Sequence, residues 1–368
     1  MINVCSLVSY HFLPAKVGGQ KGIALFNKYF SEQVRLICVT TRNNDAAAAN
    51  YSVYPIVSNS AFRYANPILF FTLRNLFRRE KITHLVLEHP YYGWLAMLLK
   101  WFGKIKIVLH AHNMEGNRFR TLGKWWWKLL WHYEKWVHQN ADVVFFIQDE
   151  DKAYAVREFR LDAKKCHTIT YGIEWTAPPS PSERKASAEA VKRKHDIPAT
   201  HKLLLFNGAF DYLPNRNALE KITAVINPLL AQQGGFEYTI VICGRKIPPE
   251  IATTQYKNIV FAGFVEDVSL YFKAADVFLN PVTGGGGIKT KLVEALGYNC
   301  NAVSTKEGAI GVNEKICNEK LIITGNEDWK IFAEQIVSIS GRSADTPSAY
   351  FDHFYWGNIA KKASAAIL

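Results

Sequence analysis

The sequence predicts an α/β protein built from two doubly wound domains facing a central cleft. Three observations predict it. Short apolar runs alternate with helix-periodic stretches along the chain, the pattern of parallel sheets covered by helices on both faces. A Pro-, Ser- and charge-rich break at residues 176–200 separates two such alternations. Loops rich in glycine or polar residues follow the strand runs in both halves, where ligands of such sheets bind. At 368 residues and 49% hydrophobic, the chain can build two sizeable cores.

In chain order, residues 2–9 read as a buried strand, followed by the loop His11–Gly19 and a helix from about Gln20 to Phe30. Further strand-like runs lie at 34–39, 85–88, 105–109 and 143–147. The first domain spans 1–172 and a linker with a short helix spans 173–201. The second domain spans 202–345, with strand runs at 203–207, 238–243, 259–261, 277–279 and 302–304. No apolar run is long enough to span a bilayer, and the N-terminus lacks a basic n-region. The six cysteines form no C-x-x-C pair, which predicts buried, reduced thiols in a cytosolic compartment and no zinc site.

The net charge of +12 is uneven. Residues 1–171 hold 23 Lys/Arg against 12 Asp/Glu, whereas the remainder holds 21 against 20. A basic first half suggests an anionic partner there: membrane surface, lipid phosphate or nucleic acid. Arg74, Arg78 and Lys81 form one basic stripe at i, i+4 and i+7. In Trp125–His138, the residues Trp126, Leu129, Leu130, Tyr133 and Val137 share a helix face expected to be core. Trp127 and Trp131 fall elsewhere beside Lys128 and Lys135, and face either a membrane or a neighbouring helix.

The strongest candidate site is Pro281–Leu296, PVTGGGGIKTKLVEAL, read as strand, glycine loop and helix start. Glycines let a ligand approach the backbone, and helix-start N–H groups with Lys289 and Lys291 suit a phosphate. Glu294 shares a helix face with Lys291 and suits a sugar hydroxyl, so the pair fits a nucleotide-sugar. The plain alternative, a flexible turn before a solvated helix, leaves four glycines without a purpose. In the first half, His110 to Glu115 (HAHNME) follows a strand, where His and Glu can position a hydroxyl and manage a proton. H-x-H could also ligate a metal, but no second ligand cluster is evident. Glu88-His89-Pro90, Asn207-Gly208, Gly244-Arg245 and Gly263–Asp267 also end strands.

The ordered motifs FNGAFDYLPNRNAL, ICGRKIP, NIVFAGFVEDVSLYFKAADVFLNP, GGGGIKTKLVEAL and AVSTKEGAIGV resemble those of GT-B-fold glycosyltransferases of family 4. Tyr171-Gly172-Ile173-Glu174 is similar to the family's crossover, and Phe354-Tyr355-Trp356 to the start of its closing helix, 346–368, which returns to the first domain. Gly18-Gly19, HNMEGNRF and Asp142 agree more loosely. The resemblance implies two Rossmann-like domains and a retaining, metal-independent hexosyltransferase without cofactor. By resemblance, Glu294 holds the donor ribose, Lys291 and Lys289 meet the diphosphate, and Val265 contacts the base. Gly208, Arg245, Gly285, Gly286 and Gly287 complete the donor site, and the Gly18-Gly19 loop closes over it. His112, or less favourably His110, lies near the transferred sugar, with Asn113, Glu115 and Arg118 on the acceptor side. Two departures stand out. Gly286 occupies a position where many members carry Glu, and the segment after 203–207 offers only Arg216 and Lys221 as cations, in poor register. The diphosphate's partners are therefore expected at Lys289 and Lys291.

The resulting expectation is a cytoplasmic glycosyltransferase, peripheral at the inner membrane face, acting in surface polysaccharide or glycoconjugate assembly. Its acceptor would be a saccharide or lipid-linked saccharide. The rival readings are an epimerase or phosphorylase of the same architecture, and a basic nucleic-acid-binding protein. No G-x-G-x-x-G follows the first strand, which argues against a dinucleotide oxidoreductase.

Overall fold

The computed structural model describes residues 2–15, 18–254 and 256–368; Lys16 and Val17 of the predicted His11–Gly19 loop lie outside them. The chain divides into two compact units, Met1–Glu174 with Phe354–Leu368, and Trp175–His353. The first unit carries a seven-stranded sheet in the order β3-β2-β1-β4-β5-β6-β7. Its strands are β1 (Asn3–Val8), β2 (Arg35–Thr41), β3 (Ser52–Val57), β4 (His84–Glu88), β5 (Lys106–Ala111), β6 (Val143–Phe146) and β7 (Cys166–Thr168). The second carries six strands in the order β10-β9-β8-β11-β12-β13, namely β8 (Lys202–Ala209), β9 (Tyr238–Arg245), β10 (Ile259–Gly263), β11 (Val277–Asn280), β12 (Asn301–Thr305) and β13 (Leu321–Thr324). Every pairing is parallel.

Central strands of a parallel sheet are covered on both faces, so they read as unbroken apolar runs. Nearly all of β1, β4, β5 and β11 is accordingly buried. The order reverses between β1 and β4, and again between β8 and β11. These switch points open a crevice beyond the strand C-termini of each unit. Glu88 ends β4, while Asn280 ends β11 and Asn207 to Ala209 end β8. Asp142 and Asp276 act structurally. Each precedes a strand and accepts the amide of a neighbouring strand's residue, Ile107 and Leu203 respectively, at 2.8 Å.

Five helices of the first unit matter below: α1 (Gly18–Phe30), α2 (Ile68–Glu80), α3 (Gly93–Gly103), α4 (Glu115–Thr121) and α5 (Trp127–Asn140). Helix α1 begins at Gly18, so the glycine pair forms its first turn rather than a loop. The predicted core face of α5 is corrected. Val137 is buried, but Leu129 is 68% exposed, and the inward residues are Glu134, Val137 and His138. The helix is rotated because Glu134 is drawn inside to accept two backbone amides of α4. Trp131 turns inward with it, packs against the core and donates to Tyr154 Oη at 2.9 Å.

Residues 176–200 hold a full helix, Pro181–Lys194, with a Ser180/Glu183 capping box. It belongs to the second unit, where Arg184 donates to the carbonyls of Lys273 and Ala275. The chain re-enters the first unit at Phe354, and Ile173 exchanges backbone hydrogen bonds with Phe354 and Trp356 at 2.7 and 3.0 Å. The final helix, Trp356–Ile367, packs on α1, with Trp356 buried near Phe26 and Tyr171. All six cysteines are buried and unbridged. Among the described residues no helix is long and apolar enough to cross a membrane.

Candidate active site

At the switch point of the first unit, three imidazoles meet two carboxylates. The β4–β5 register sets Glu88 beside His110. Glu88 Oε2 lies 3.0 Å from His110 Nδ1 and 2.5 Å from His112 Nε2. The His112 ring lies between those of His110 and His89, tilted to both, with centroids 4.4 and 4.6 Å away. His89 in turn reaches Tyr10 Oη at 3.1 Å and Glu115 Oε1 at 3.4 Å. Its φ of 77° is strained for a non-glycine residue and turns the ring back toward the network. Glu115 Oε2 accepts from Tyr91 Oη at 2.8 Å and from Arg118 at 3.0 Å.

Burial and charge set the protonation states of this network. Burial raises Glu88, but the His110 charge and the hydrogen bonds from both imidazoles outweigh it and hold the carboxyl well below its usual range. Glu115 is likewise raised by burial yet brought down to about 2, chiefly by His89. Burial lowers His89 and His110. The result is a fixed anion behind His112, which orients the ring. Glu88, His110 and His112 also present three metal-competent atoms within 4.8 Å of one another.

Helix α4, which carries Glu115 and Arg118, starts without a side-chain cap of its own. Glu134 of α5 supplies one from outside. Its two carboxylate oxygens accept the amides of Glu115 and Gly116, each at 2.8 Å. Burial pushes this carboxyl up to about 8, against the pull of the two amides. Glu134→Gln places an N–H against one of those amides and is expected to cost about 2 kcal/mol at neutral pH. A carboxyl raised in the folded state contributes fully below 4.5 and loses its contribution as pH climbs through 8. The melting-temperature gap between wild type and variant should therefore narrow across that window.

In the second unit the tetraglycine loop joins β11 to the helix Thr290–Gly297. Gly285 and Gly287 sit at φ 82° and 74°, which glycine adopts without strain. A Cβ on Gly285 would lie 2.5 Å from Tyr212 Oη, so the loop after β8 rests directly on it. Lys289 Nζ donates to the carbonyls of Gly285 and Gly287, both at 2.9 Å, and ties the loop to the helix start. Lys291 Nζ points instead to the end of β8, where it donates to Asn215 Oδ1 at 3.2 Å; a Cβ on Gly208 would lie 3.2 Å from it. Asn215 is itself fixed to the Ala209 carbonyl at 2.9 Å. Burial pulls Lys291 down to about 8, partly offset by the charge of Glu294 one helical turn on. This is a pocketed cation between a glycine strand end and a helix N-terminus, an arrangement suited to a diphosphate.

Residues 20–175 match the model for Glycosyltransferase Family 4, and residues 201–341 match that for Glycosyl transferases group 1. The chain belongs to the group 1, family 4 glycosyltransferases of the GT-B fold. Solved structures agree in fold. A glycosyltransferase from Rickettsia africae aligns at TM-score 0.73 and 14% identity over 98% of this chain and 96% of its own. Anabaena HepE in complex with UDP-glucose aligns at 0.71 and 13%, over 100% and 99%. The lipopolysaccharide outer core galactosyltransferase WaaB, in its apo form, aligns at 0.67 and 12%, over 100% and 99%. No curated protein sequence matches significantly.

Within this glycosyltransferase, the predicted residues fall into two groups by unit. His112, Glu115 and Arg118 share the first-unit network, with Asn113 half-buried in the turn before α4. Gly208 and Lys291 meet in the second, with Glu294 one helical turn on and Gly285 to Gly287 and Lys289 forming the glycine loop before the helix. Arg245 and Lys246 both pair with Asp211, at 3.7 and 3.1 Å, beyond β9. Val265 follows β10 and is half-buried. Lys221 is committed elsewhere, over the Trp329 ring at 5.6 Å, and Arg216 is exposed. Asn215, in the same segment, is the residue that reaches the half-buried Lys291.

Glu88, Glu134 and Asn215 are the contributors the motif reading gives no role. Gly244 is another. At φ 149° its Cβ would overlap the carbonyl oxygen of Gly208, its register partner on β8. Gly244→Ala must push the two strand ends apart. It is expected to lower stability by about 3 kcal/mol, read as a fall in Tm, and to weaken nucleotide binding with it.

Proposed function

We propose that this glycosyltransferase moves a hexose from a nucleoside diphosphate sugar to an acceptor hydroxyl, with retention of anomeric configuration and without a metal. The observation that carries this reading is the enclosed Lys291, held by Asn215 against Gly208 at a helix start. Its charge, with the amides of the glycine loop, would stabilise the departing diphosphate, which is electrostatic catalysis. Glu294 is assigned to the donor ribose. Val265, Arg245 and the Gly18-Gly19 turn are assigned to the donor as well. Lys289 first serves the loop, through its bonds to two glycine carbonyls. HepE crystallised with UDP-glucose supports a nucleotide-sugar donor.

The imidazole–carboxylate network of the first unit is assigned to the acceptor side, with His112 as its working group and Glu88 behind it. We read the triad as a proton device, with Glu88 hydrogen-bonded to His112 and 3.0 Å from His110 Nδ1. The acceptor is proposed to be a saccharide or lipid-linked saccharide in surface polysaccharide or glycoconjugate assembly, a reading the galactosyltransferase neighbour supports. The surplus of 23 basic over 12 acidic residues in 1–171 would hold the enzyme to an anionic membrane surface in the cytoplasm. The test is to incubate the purified protein with UDP-, GDP- and ADP-sugars and candidate glycans, with and without EDTA, and to read the product's anomeric proton by NMR. Transfer with retention, unaffected by EDTA, is expected. A new sugar nucleotide formed without acceptor would identify an epimerase instead.

A further inference from the structure

We infer that the groove between α2 and α3 binds an anionic phospholipid of a bilayer surface. This rests on the membrane contact proposed above and says which residues make it. The groove encloses about 310 Å³, at the lower end of the range of small-ligand pockets. Phe70, Phe77, Leu99 and Phe102 wall it, and Arg74, Arg78 and Lys81 stand on it as well. Its floor includes Ile82 and Ile105, which precede β4 and β5, so it opens at the opposite edge of the sheet from Glu88 and His112. It is therefore separate from the network assigned to the acceptor.

Two features suit the groove to an occupant of mixed character. Among the described residues none of Arg74, Arg78 and Lys81 forms an ion pair, although they crowd one helix face; Arg74 Nε is buried with no hydrogen-bond partner. The nearby acid, Glu80, is committed to Arg35 and Arg79. Beside the cations lies an apolar surface that water does not favour: Phe71, Trp101 and Phe102 are 60, 70 and 63% exposed. Phe70 joins them, with its ring 5.3 Å from Phe71 and 5.8 Å from Phe102. A free phosphate would leave the aromatic wall wet, and a hydrocarbon would leave the cations unpaired. A phospholipid satisfies both, with its phosphate on Arg74, Arg78 and Lys81 and acyl carbons along the phenylalanines. A second copy of the chain would set three like charges against themselves.

The experiment is co-sedimentation of the full chain with vesicles of phosphatidylcholine alone and of phosphatidylcholine with phosphatidylglycerol. Wild type should partition to the anionic vesicles only. Arg74→Gln with Arg78→Gln should weaken that partition roughly 30-fold, about fivefold per charge removed. Lys361→Gln with Lys362→Gln, exposed on the C-terminal helix that packs on α1, should change it less than about twofold. Unchanged calorimetric nucleotide binding would verify that both pairs fold. Equal losses in the two pairs would leave the membrane contact standing and overturn the groove assignment. Competition by inorganic phosphate at matched ionic strength would overturn it in favour of a free-anion site. A wild-type dimer in light scattering, dissolved by Phe71→Ser with Trp101→Ser, would overturn it in favour of self-association. Absence of wild-type sedimentation would overturn both the membrane contact and the groove.

Discussion

Replacing Lys291 with alanine is expected to weaken binding of the nucleoside diphosphate roughly 10- to 100-fold, the worth of about 1.5–3 kcal/mol for a hydrogen bond to a charged group. The loss should fall at the upper end because this ammonium is enclosed rather than solvated. Asn215 and Gly208 hold it in place before any ligand arrives, so little ordering remains to be done on binding. Its titration gives the prediction a second edge. Burial brings Lys291 down to about 8, so the ammonium is progressively lost as pH rises through that value. Nucleotide affinity of the wild type should decline over the same range, with proton uptake on binding. The alanine variant should show neither effect. Asn215→Ala should act in the same direction but more weakly, since it displaces the cation without removing it.

Glu88→Ala should cost about 3 kcal/mol of stability and most of the turnover. The variant leaves His110 and His112 without the anion that both now face, in a pocket where both Glu88 and His110 are buried. His110, whose charged form burial already disfavours, can shed its proton, which keeps the cost at the lower end for a broken buried pair. The sign of the pH effect follows from the directions of the shifts. His89 and His110 are lowered, so their contribution is complete above 6.5 and drains as pH falls below it. Glu88 and Glu115 are also lowered, and theirs drains below 4.5. Wild type should thus lose melting temperature on acidification in two stages, and Glu88→Ala should show a shallower second stage. Glu88→Gln, which keeps the shape without the charge, should restore folding better than turnover, as expected of a residue that acts through His112.

The central strands were legible because a strand covered on both faces must be apolar throughout. Runs such as Leu85–Leu87 and Val277–Leu279 therefore announce themselves. The strands that escaped are β3, β7 and β13, all on sheet edges or next to them: β3 carries Pro55 and is mostly half-buried, β7 has three residues and β13 four. An edge strand pairs on one side and needs no continuous apolar run. Helix α5 misled for a related reason. Periodicity counts apolar residues, and cannot anticipate that Glu134 turns inward to serve two amides eighteen and nineteen residues away.

The same limit divides the candidate site. Lys291, Glu294 and the glycines were visible because they lie in one short stretch. His112 was visible because it follows a strand among polar neighbours. The partners that set their chemistry come from elsewhere in the chain. Glu88 is 24 residues before His112, and Asn215 is 76 before Lys291. Strand order brings these pairs together: Glu88 is marked in the sequence only as a strand end, and nothing local marks Asn215. Gly244 illustrates the point differently: its need for no side chain arises from the Gly208 carbonyl on the neighbouring strand.

The most direct measurement is a calorimetric titration of the purified protein with UDP, GDP and ADP, repeated on Lys291→Ala and Glu294→Ala. One nucleoside diphosphate should bind the wild type, and both variants should bind it more weakly, Lys291→Ala by at least roughly tenfold. Undiminished binding in both variants, or binding of none of the three by the wild type, would contradict a donor site built on Lys291.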